Sequence, residues 1–431
     1  MVNKKRIVRA TAALAAAAII STGLAACSSG TSSTAAGKNI TIGMNSGLVP
    51  QFQRYAKDFD KTHKQFNVTV KAVPDDQATY IQGLVTEGLS KSLPDIIFNY
   101  DSLNTTLNSN HLLYDIKPWL DSGHDGLKAS SFESNFLGQY KVGGAITGIP
   151  VSADTGVMAV DETLFKKYDV PIPTSTWTLQ EMYSDAKQIT KASGGSVYGI
   201  KTPLGDASGL FNYDPTLKAY GSSLYDPSTK KFDFANNAGI TAWTQLLAPY
   251  TEKFGTPYSQ ANNNNLFPSG QAAMTSLSTA GVASLRSTVK DTWDLLPFPT
   301  VNGTPTTGGG SYSLSISAKS DNKEGAYQFM SWFYSTNGGE KAASQDGVIP
   351  ATSNGIKDGA WLTDAPAVPK SFVSTVKYSV SKAILPDVLP ASIQPKLVPA
   401  LQQAVQEVVL KGESVKTAFT AAQKQLNGQS N

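Results

Sequence analysis

Cysteine and histidine are both scarce in this chain. Its 431 residues contain one cysteine, Cys27, so no disulfide can form within it. The three histidines, at positions 63, 111 and 124, are not at metal-ligand spacing from one another or from the cysteine. From the sequence we therefore expect no metal ion and no cofactor.

The motifs of common catalytic sites are also missing. The chain has no G-x-S-x-G nucleophile motif and no P-loop. The glycines at 308–310 precede a predicted strand, whereas a phosphate-binding loop follows a strand and opens a helix. Residues 121–126 faintly resemble a calcium loop, but its third position is Gly123 and its twelfth is Phe132, where a bidentate glutamate is needed. These absences disfavour an enzyme. A glycosidase stays open as an alternative, because its paired carboxylates meet in space and not in sequence.

Only one long apolar run is present, at residues 10–24, and it is shorter than the roughly 20 residues that span a bilayer. It follows a basic head and ends in Leu24-Ala25-Ala26-Cys27, which resembles the lipobox of bacterial lipoproteins. We predict a signal peptide over residues 1–26, then a lipidated Cys27 and a flexible tether over 27–38. A plain secretory signal with an incidental cysteine is the alternative. The predicted location is the extracytoplasmic face of the cell membrane, with attachment through lipid alone.

Neither sign of charge dominates the mature part. The leader holds four of the 36 basic residues and none of the 33 acidic ones, so the remainder is close to neutral. No basic patch indicates nucleic acid as a partner. About 390 residues follow the tether, which is more than one hydrophobic core usually supports, so two domains are expected.

Short apolar strands alternate with amphipathic helices from residue 39 onward. Residues 40–42 indicate a strand, and two further strands at 66–73 and 95–98 flank a second helix. The apolar positions of the first helix share one face: Phe52, Tyr55, Ala56 and Phe59. This order predicts a mostly parallel α/β sheet covered on both faces. The second half repeats the pattern, and Thr178 with Glu181 predicts a helix that begins with a capping box.

Four stretches, taken in chain order, carry a family resemblance: residues 94–98, 148–179, 266–274 and 409–418. The third, LFPSGQAAM, resembles the F-x-x-G-x-x-A-M signature of the extracellular solute-binding proteins of ABC importers. That is the sugar-binding family that includes maltose-binding protein. The other stretches are similar to the family's third strand, its hinge strand with the following helix, and its closing helix pair. The resemblance spans residue 40 to about residue 426.

The resemblance implies an α/β, two-lobed, type II periplasmic-binding-protein-like fold with a hinged cleft between the lobes. The N-terminal lobe would comprise residues 39–150 and 308–355, and the C-terminal lobe residues 151–307 and 356–431. Glycine and proline breaks at the crossings agree with a hinge. The predicted hinge residues are Pro150, Ser152, Gly309 and Gly310. Two ordinary loops are the alternative.

The resemblance also implies a set of solute-contacting residues, most of them at the carboxyl ends of strands. They are Asn45, Ser46, Asn99, Tyr100, Asp101, Ser102, Asp154, Phe211, Ser278 and Thr279. Carboxylate and amide groups would bond sugar hydroxyls, and an aromatic face would cover the apolar side of a sugar ring. Alternatives stay open for three places: Asp154 could cap a turn, Phe211 could be core, and residues 100–101 could lead into a helix.

Maltose-binding protein carries tryptophans where this chain has Asn99, Ala280 and Pro399, which disfavours linear maltodextrin as the solute. Trp361 and Tyr378 are the candidates to replace the lost stacking surface. The expected function is binding of a sugar or oligosaccharide and its delivery to the transmembrane subunits of an ABC permease, by a monomer. A receptor for glycerol-phosphate or another anionic solute on the same fold is an alternative, as is an adhesin.

Overall fold

The computed structural model describes residues 38–74, 77–90, 92–201, 209–359, 369–387, 389 and 394–428. The predicted leader, Cys27 and Trp361 lie outside these residues. The strands are Asn39–Asn45 (β1), Asn67–Val73 (β2), Ile96–Tyr100 (β3), Lys141–Val142 (β4), Ala145–Ile146 (β5), Ile149–Pro150 (β6), Asp154–Asp161 (β7), Tyr225–Asp226 (β8), Lys231–Phe232 (β9), Met274–Ser278 (β10), Trp293–Pro297 (β11), Thr300–Val301 (β12), Thr304–Pro305 (β13), Gly309–Gly310 (β14) and Tyr312–Ile316 (β15).

The helices connect these strands and cover the sheets. They are Val49–Thr62 (α1), Gln77–Ser90 (α2), Asn104–Ser109 (α3), Lys117–Ser122 (α4), Ser134–Gly138 (α5), Glu162–Lys167 (α6), Leu179–Ala192 (α7), Asp214–Ala219 (α8), Asn237–Thr251 (α9), Val282–Thr288 (α10), Lys323–Phe333 (α11), Gly339–Gln345 (α12), Ser353–Asp358 (α13), Phe372–Lys382 (α14), Gln394–Lys411 (α15) and Val415–Gly428 (α16). None of the described helices combines the length and the apolar character that a membrane crossing requires.

The first sheet has the strand order β2-β1-β3-β15-β6. β1 pairs in parallel with β2 and with β3, as the sequence pattern predicts, whereas β15 runs antiparallel to β3 and β6. Ile40, Ile42 and Met44 alternate along β1 and are fully buried. The four apolar residues predicted to share a face of the first helix are all buried in α1. Side-chain periodicity in the sequence therefore predicted the buried faces of β1 and α1 correctly.

Side-chain hydrogen bonds cap the first turns of α7 and α16. Thr178 Oγ1 accepts a hydrogen bond from the Glu181 amide at 3.2 Å, and the Glu181 carboxylate accepts one from the Thr178 amide at 2.7 Å. This pair is the predicted capping box at the start of α7. Before α16, Ser414 Oγ accepts from the Thr417 amide at 3.0 Å.

The second sheet departs from the predicted parallel pattern. β10 and β11 pair antiparallel with the two sides of β7, and β14 also pairs antiparallel with β7. β10 and β11 are thus parallel to each other and are joined through α10, which is the expected strand-helix-strand unit. β7, from much earlier in the chain, is inserted between them. The local sequence pattern predicts a strand-helix-strand unit, but it does not indicate which distant strand pairs between the two strands of that unit.

The chain passes between the two sheets at neighbouring places. β6 belongs to the first sheet and β7 to the second, so the first passage comprises residues 151–153. β14 pairs with the second sheet and β15 with the first, so the chain returns at Ser311. The Val151 amide donates to the Tyr312 carbonyl at 2.9 Å, and the Ala153 amide donates to the Ile349 carbonyl at 3.0 Å. Three backbone segments therefore lie side by side at the crossing. The lobe bounds and the hinge motion stay predictions.

Separate hydrophobic cores accompany the sheets. One includes Phe98 and packs around the first sheet, and another includes Met158 and packs around the second. A mainly helical core contains Trp243, whose ring stacks on Phe419 at 4.3 Å. Phe136 of α5 is buried with apolar residues of β7 and α14, although it lies within the range predicted for the N-terminal lobe. The side chains of the two sequence ranges therefore interlock near the crossing.

Candidate functional site

Asp154 opens β7 directly after the first passage between the sheets. Its Oδ1 accepts a hydrogen bond from Thr279 Oγ1 at 2.9 Å, and its Oδ2 accepts one from Ser152 Oγ at 3.2 Å. Burial raises the pKa of Asp154, and these hydroxyls together with the Ala280 amide offset part of that rise. No cation is among the described groups that act on this pKa. Asp154 is therefore a half-buried acceptor held by neutral donors, and through the Ala280 amide it also holds the 3-10 turn of residues 279–281, so the turn-capping alternative stays open.

Thr279 reaches Asp154 because of the register of β10 against β7. Ser278, the last residue of β10, is paired with Gly156, so the next residue falls beside the start of β7. There the buried Thr279 hydroxyl also accepts a hydrogen bond from the Thr155 amide at 3.1 Å. The half-buried Ser278 precedes it without a described side-chain hydrogen bond. The structure thus brings together two residues that the sequence placed in the site from separate motifs.

Asp101 supplies a second half-buried carboxylate directly after β3. Its Oδ1 accepts from the Ser102 amide at 2.6 Å, and its Oδ2 accepts from the Ser311 amide at 3.4 Å. Burial raises the pKa of Asp101 to about 6, against the lowering effect of these two amides. A side chain on Gly310 would place its Cβ 2.8 Å from Asp101 Oδ2, so glycine is what allows the carboxylate this close.

Both carboxylates therefore border one short crossing. Gly310 is the register partner of Asp154, and Ser311 bonds Asp101. Tyr312, the next residue, is the register partner of Tyr100, and its pKa is raised by burial first and then by Asp154 and Tyr100. The arrangement sets two half-buried carboxylate acceptors and the side chains of two tyrosines around residues 310–312.

Asn45 and Tyr100 meet at the ends of adjacent strands. Asn45 Nδ2 donates to the Tyr100 hydroxyl at 3.4 Å, while its Oδ1 accepts from the Gly47 amide at 3.1 Å. Ser46 is exposed and begins a short 3-10 turn. Asp101 also begins a 3-10 turn. Its predicted role in the site and the alternative of a helix lead-in are therefore compatible with each other.

Asn99 is a correction to the predicted site. Its side chain is fully buried, and its Nδ2 donates to Asn104 Oδ1 at 3.0 Å and to Ser315 Oγ at 3.1 Å. Successive side chains of a strand point to opposite faces, so Asn99 faces away from its neighbours Phe98 and Tyr100. Its assignment to solute contact is wrong, because the amide is used inside the first sheet's polar network.

The aromatic candidates fall in different surroundings. Phe211 is half-buried in a 3-10 turn and outside the hydrophobic cores, which removes the core alternative for it. A Cβ on Gly308 would lie 2.2 Å from the Phe211 carbonyl oxygen, so the turn packs directly on the segment that leads into β14. Tyr378 is half-buried on α14, a helix that packs on β7 and β11, and no described contact joins it to Asp154. Trp361 lies outside the described residues.

Two residues near the site, Ser311 and Tyr140, were not predicted from the sequence. Ser311 bonds Asp101 through its amide, and its Oγ lies 3.4 Å from Ser152 Oγ. The Tyr140 hydroxyl donates to the Ser311 carbonyl at 2.9 Å. The position of Ser311 directly after three glycines was an available signal, whereas nothing local distinguishes Tyr140.

We expect Asp101→Asn to stabilise the fold, and increasingly so at higher pH. The pKa of Asp101 is about 6 in the folded chain and has its ordinary value of 3.8 in the unfolded chain. Between these two pH values the folded chain keeps a proton that the unfolded chain has released. The stability contributed by that proton is complete below about pH 4 and is lost as the pH rises through about 6. The measurement is the unfolding temperature of both proteins across this range.

Asp226→Asn is the control with the opposite sign. Hydrogen bonds from Ser228 and Thr229 lower the pKa of Asp226 to about 2, so its charge stabilises the fold above about pH 4 and that stability is lost as the pH falls through about 2. A destabilised Asp101→Asn variant at alkaline pH, with the control behaving as stated, would contradict the prediction.

Two α/β sheets joined by neighbouring crossings, with a polar cluster where they meet, place this chain in the type II periplasmic-binding-protein-like fold class. The family model for bacterial extracellular solute-binding proteins matches residues 54–370, and the chain belongs to that family. It is 22% identical over 392 residues to a binding protein of Brucella abortus, covering 87% of this chain and 89% of that protein.

Solved structures share the fold over nearly the whole chain. The ABC substrate-binding protein Lmo0181 of Listeria monocytogenes, in complex with cycloalternan, matches with a TM-score of 0.76 and 20% identity, covering 90% of this chain and 98% of that one. UgpB of Mycobacterium tuberculosis, in complex with glycerophosphocholine, matches with a TM-score of 0.75 and 16% identity, covering 91% and 98%. Two neighbours this similar in fold bind different solutes, so the fold alone does not choose the solute.

Proposed function

We propose that this chain is the substrate-binding lipoprotein of an ABC transporter, capturing a sugar or oligosaccharide and delivering it to a membrane permease. The solute lies in a cleft between the lobe of residues 39–150 and 308–355 and the lobe of residues 151–307 and 356–431. Family membership supports binding without catalysis. The lipobox-like sequence ending at Cys27 supports anchoring at the extracytoplasmic face, which cell fractionation of a Cys27→Ala variant checks.

The observation that carries the sugar proposal is the pair of half-buried carboxylates, Asp101 and Asp154, both against the crossing at 310–311. No cation is among the described groups that act on the pKa of either one. Sugar hydroxyls are neutral donors, and a carboxylate that accepts from them forms a strong hydrogen bond without a counter-charge. Tyr100 and Tyr312 add hydroxyls and ring faces of the kind that sugar sites use. The cycloalternan complex of the Listeria neighbour supports this solute class.

An anionic solute is the second candidate, and Lys201 is the observation that favours it. Lys201 is half-buried, burial lowers its pKa, and no described acid is among the groups that act on that pKa. It bridges in parallel to Thr275 of β10, three positions before Ser278 and so within about 10 Å along the strand. The glycerophosphocholine complex of the Mycobacterium neighbour supports this alternative. Arg54, in contrast, is paired with Asp346 at 2.8 Å.

Isothermal titration tests both candidates on one protein. A panel of mono- to tetrasaccharides is expected to give saturable heat with at least one member, and affinity nearly independent of salt. If only phosphorylated solutes bind, with affinity that collapses as salt is added, the anionic alternative replaces the sugar. Heat from none of the saccharides contradicts the sugar proposal, and turnover of an aryl glycoside would instead revive an enzyme.

A further inference from the structure

His124, Asp125 and Glu324 meet on the surface of the first lobe although they come from distant parts of the chain. His124 and Asp125 form a 3-10 turn after α4, and Glu324 lies in the first turn of α11. His124 Nε2 is 2.9 Å from Glu324 Oε1 and 3.8 Å from Asp125 Oδ2. One ligand atom from each residue lies within 4.8 Å of the other two.

The imidazole ring is held in place by its neighbours. It stacks on the Trp119 ring at 5.6 Å and lies 5.4 Å from the Tyr327 ring. Both aromatic residues belong to the elements that carry the cluster, α4 and α11. Packing on both elements fixes the direction of Nε2, which is the preorganisation that a metal ligand requires.

We propose that His124, Asp125 and Glu324 bind a divalent first-row transition metal ion, with zinc as the best fit. Zinc binds nitrogen and carboxylate oxygen at about 2.0–2.2 Å in a tetrahedral arrangement, which separates two of its ligand atoms by about 3.4 Å. The two distances from His124 Nε2, 2.9 Å and 3.8 Å, lie within about 0.5 Å of that value, and the remaining pair, at most 4.8 Å apart, needs to close by at most about 1.4 Å. All three side chains are between 30% and 36% exposed, so solvent ions reach them and water can complete the coordination.

Other ions fit this donor set less well. Calcium takes six to eight oxygen ligands, whereas this cluster supplies one nitrogen and two carboxylates. An imidazole nitrogen suits zinc, copper, iron and nickel. Glu324 Oε1 also accepts from Gln328 Nε2 at 3.3 Å, a neutral hydrogen bond that an ion could replace. Because the ion would join the turn after α4 to α11, binding should stabilise the first lobe.

The test is titration of zinc chloride into the tag-free full chain that carries Cys27→Ser, so that the thiol cannot bind the metal. We expect one equivalent to bind and the unfolding temperature to rise with zinc. His124→Gln is expected to abolish that binding, and Glu324→Gln to weaken it at least about tenfold. His63→Gln and His111→Gln are the matched controls and should bind like the parent.

The proposal is overturned if zinc, nickel and cobalt all fail to bind, or if His124→Gln binds zinc as well as the parent does. Circular dichroism of each variant separates loss of the ion from loss of the fold. The outcome does not depend on the sugar proposal, since none of the described contacts joins the metal cluster to Asp154.

Discussion

Asp154→Ala is expected to weaken solute binding by about 1–3 kcal/mol, the cost of leaving buried partners without their hydrogen bond. The carboxylate accepts from the Thr279 and Ser152 hydroxyls, so its loss removes both the acceptor proposed for the solute and the order of these neighbours. The measurement is isothermal titration with the solute identified from the saccharide panel.

A matched pair of variants separates binding from folding. Asp154→Asn keeps an acceptor oxygen but lacks the charge, so it should lose affinity while keeping the unfolding temperature, because burial already disfavours the charged form. Asp58→Ala, an exposed aspartate paired with Lys61 on α1, is the control and should bind normally. Parental affinity in folded Asp154→Ala would remove this residue from the site.

Gly308→Ala is expected to destabilise the protein by about 1–3 kcal/mol or more, as overpacking does. The new Cβ would lie 2.2 Å from the carbonyl oxygen and 2.6 Å from the Cα of Phe211, which are backbone atoms that cannot rotate away. The strand cannot easily retreat either, because the Gly308 carbonyl accepts from the Gly156 amide at 2.8 Å. Phe211 should therefore be displaced, and solute affinity should fall with stability.

Gly138→Ala is the control for this variant, because nothing lies within 4 Å of the Cβ it would add. Urea denaturation measures stability, and titration below the unfolding transition measures affinity. A Gly308→Ala variant as stable as the Gly138→Ala variant would show that the turn of residues 210–212 does not pack on the crossing strand as described.

The sequence predicted which residues of the polar site come together in some cases, and it misplaced Asn99. Asp101, Asp154 and Thr279 were named from motifs in separate parts of the chain, and the structure brings each to residues 310–311 or to one another. Asn99 was misplaced because the family motif fixes its position along β3 but not the network behind the sheet. Ser315, which bonds its amide, is distant in sequence, so no local pattern reveals that contact.

The sequence by itself determined the elements whose signals are local. The buried face of α1 and the capping box at Thr178 follow from residues a few positions apart, and the family motifs then identified the fold class. Periodicity works at this range because the helical turn and the strand pleat fix which neighbouring side chains share a face.

Only the tertiary structure decided which distant segments meet. It inserted β7 between β10 and β11, turned Asn99 into the first sheet, and brought Glu324 to His124. The physical reason is that such contacts are selected by packing of the whole chain, after loops of very different length have closed at nearly the same entropic cost. Sequence separation therefore says little about which side chains become neighbours.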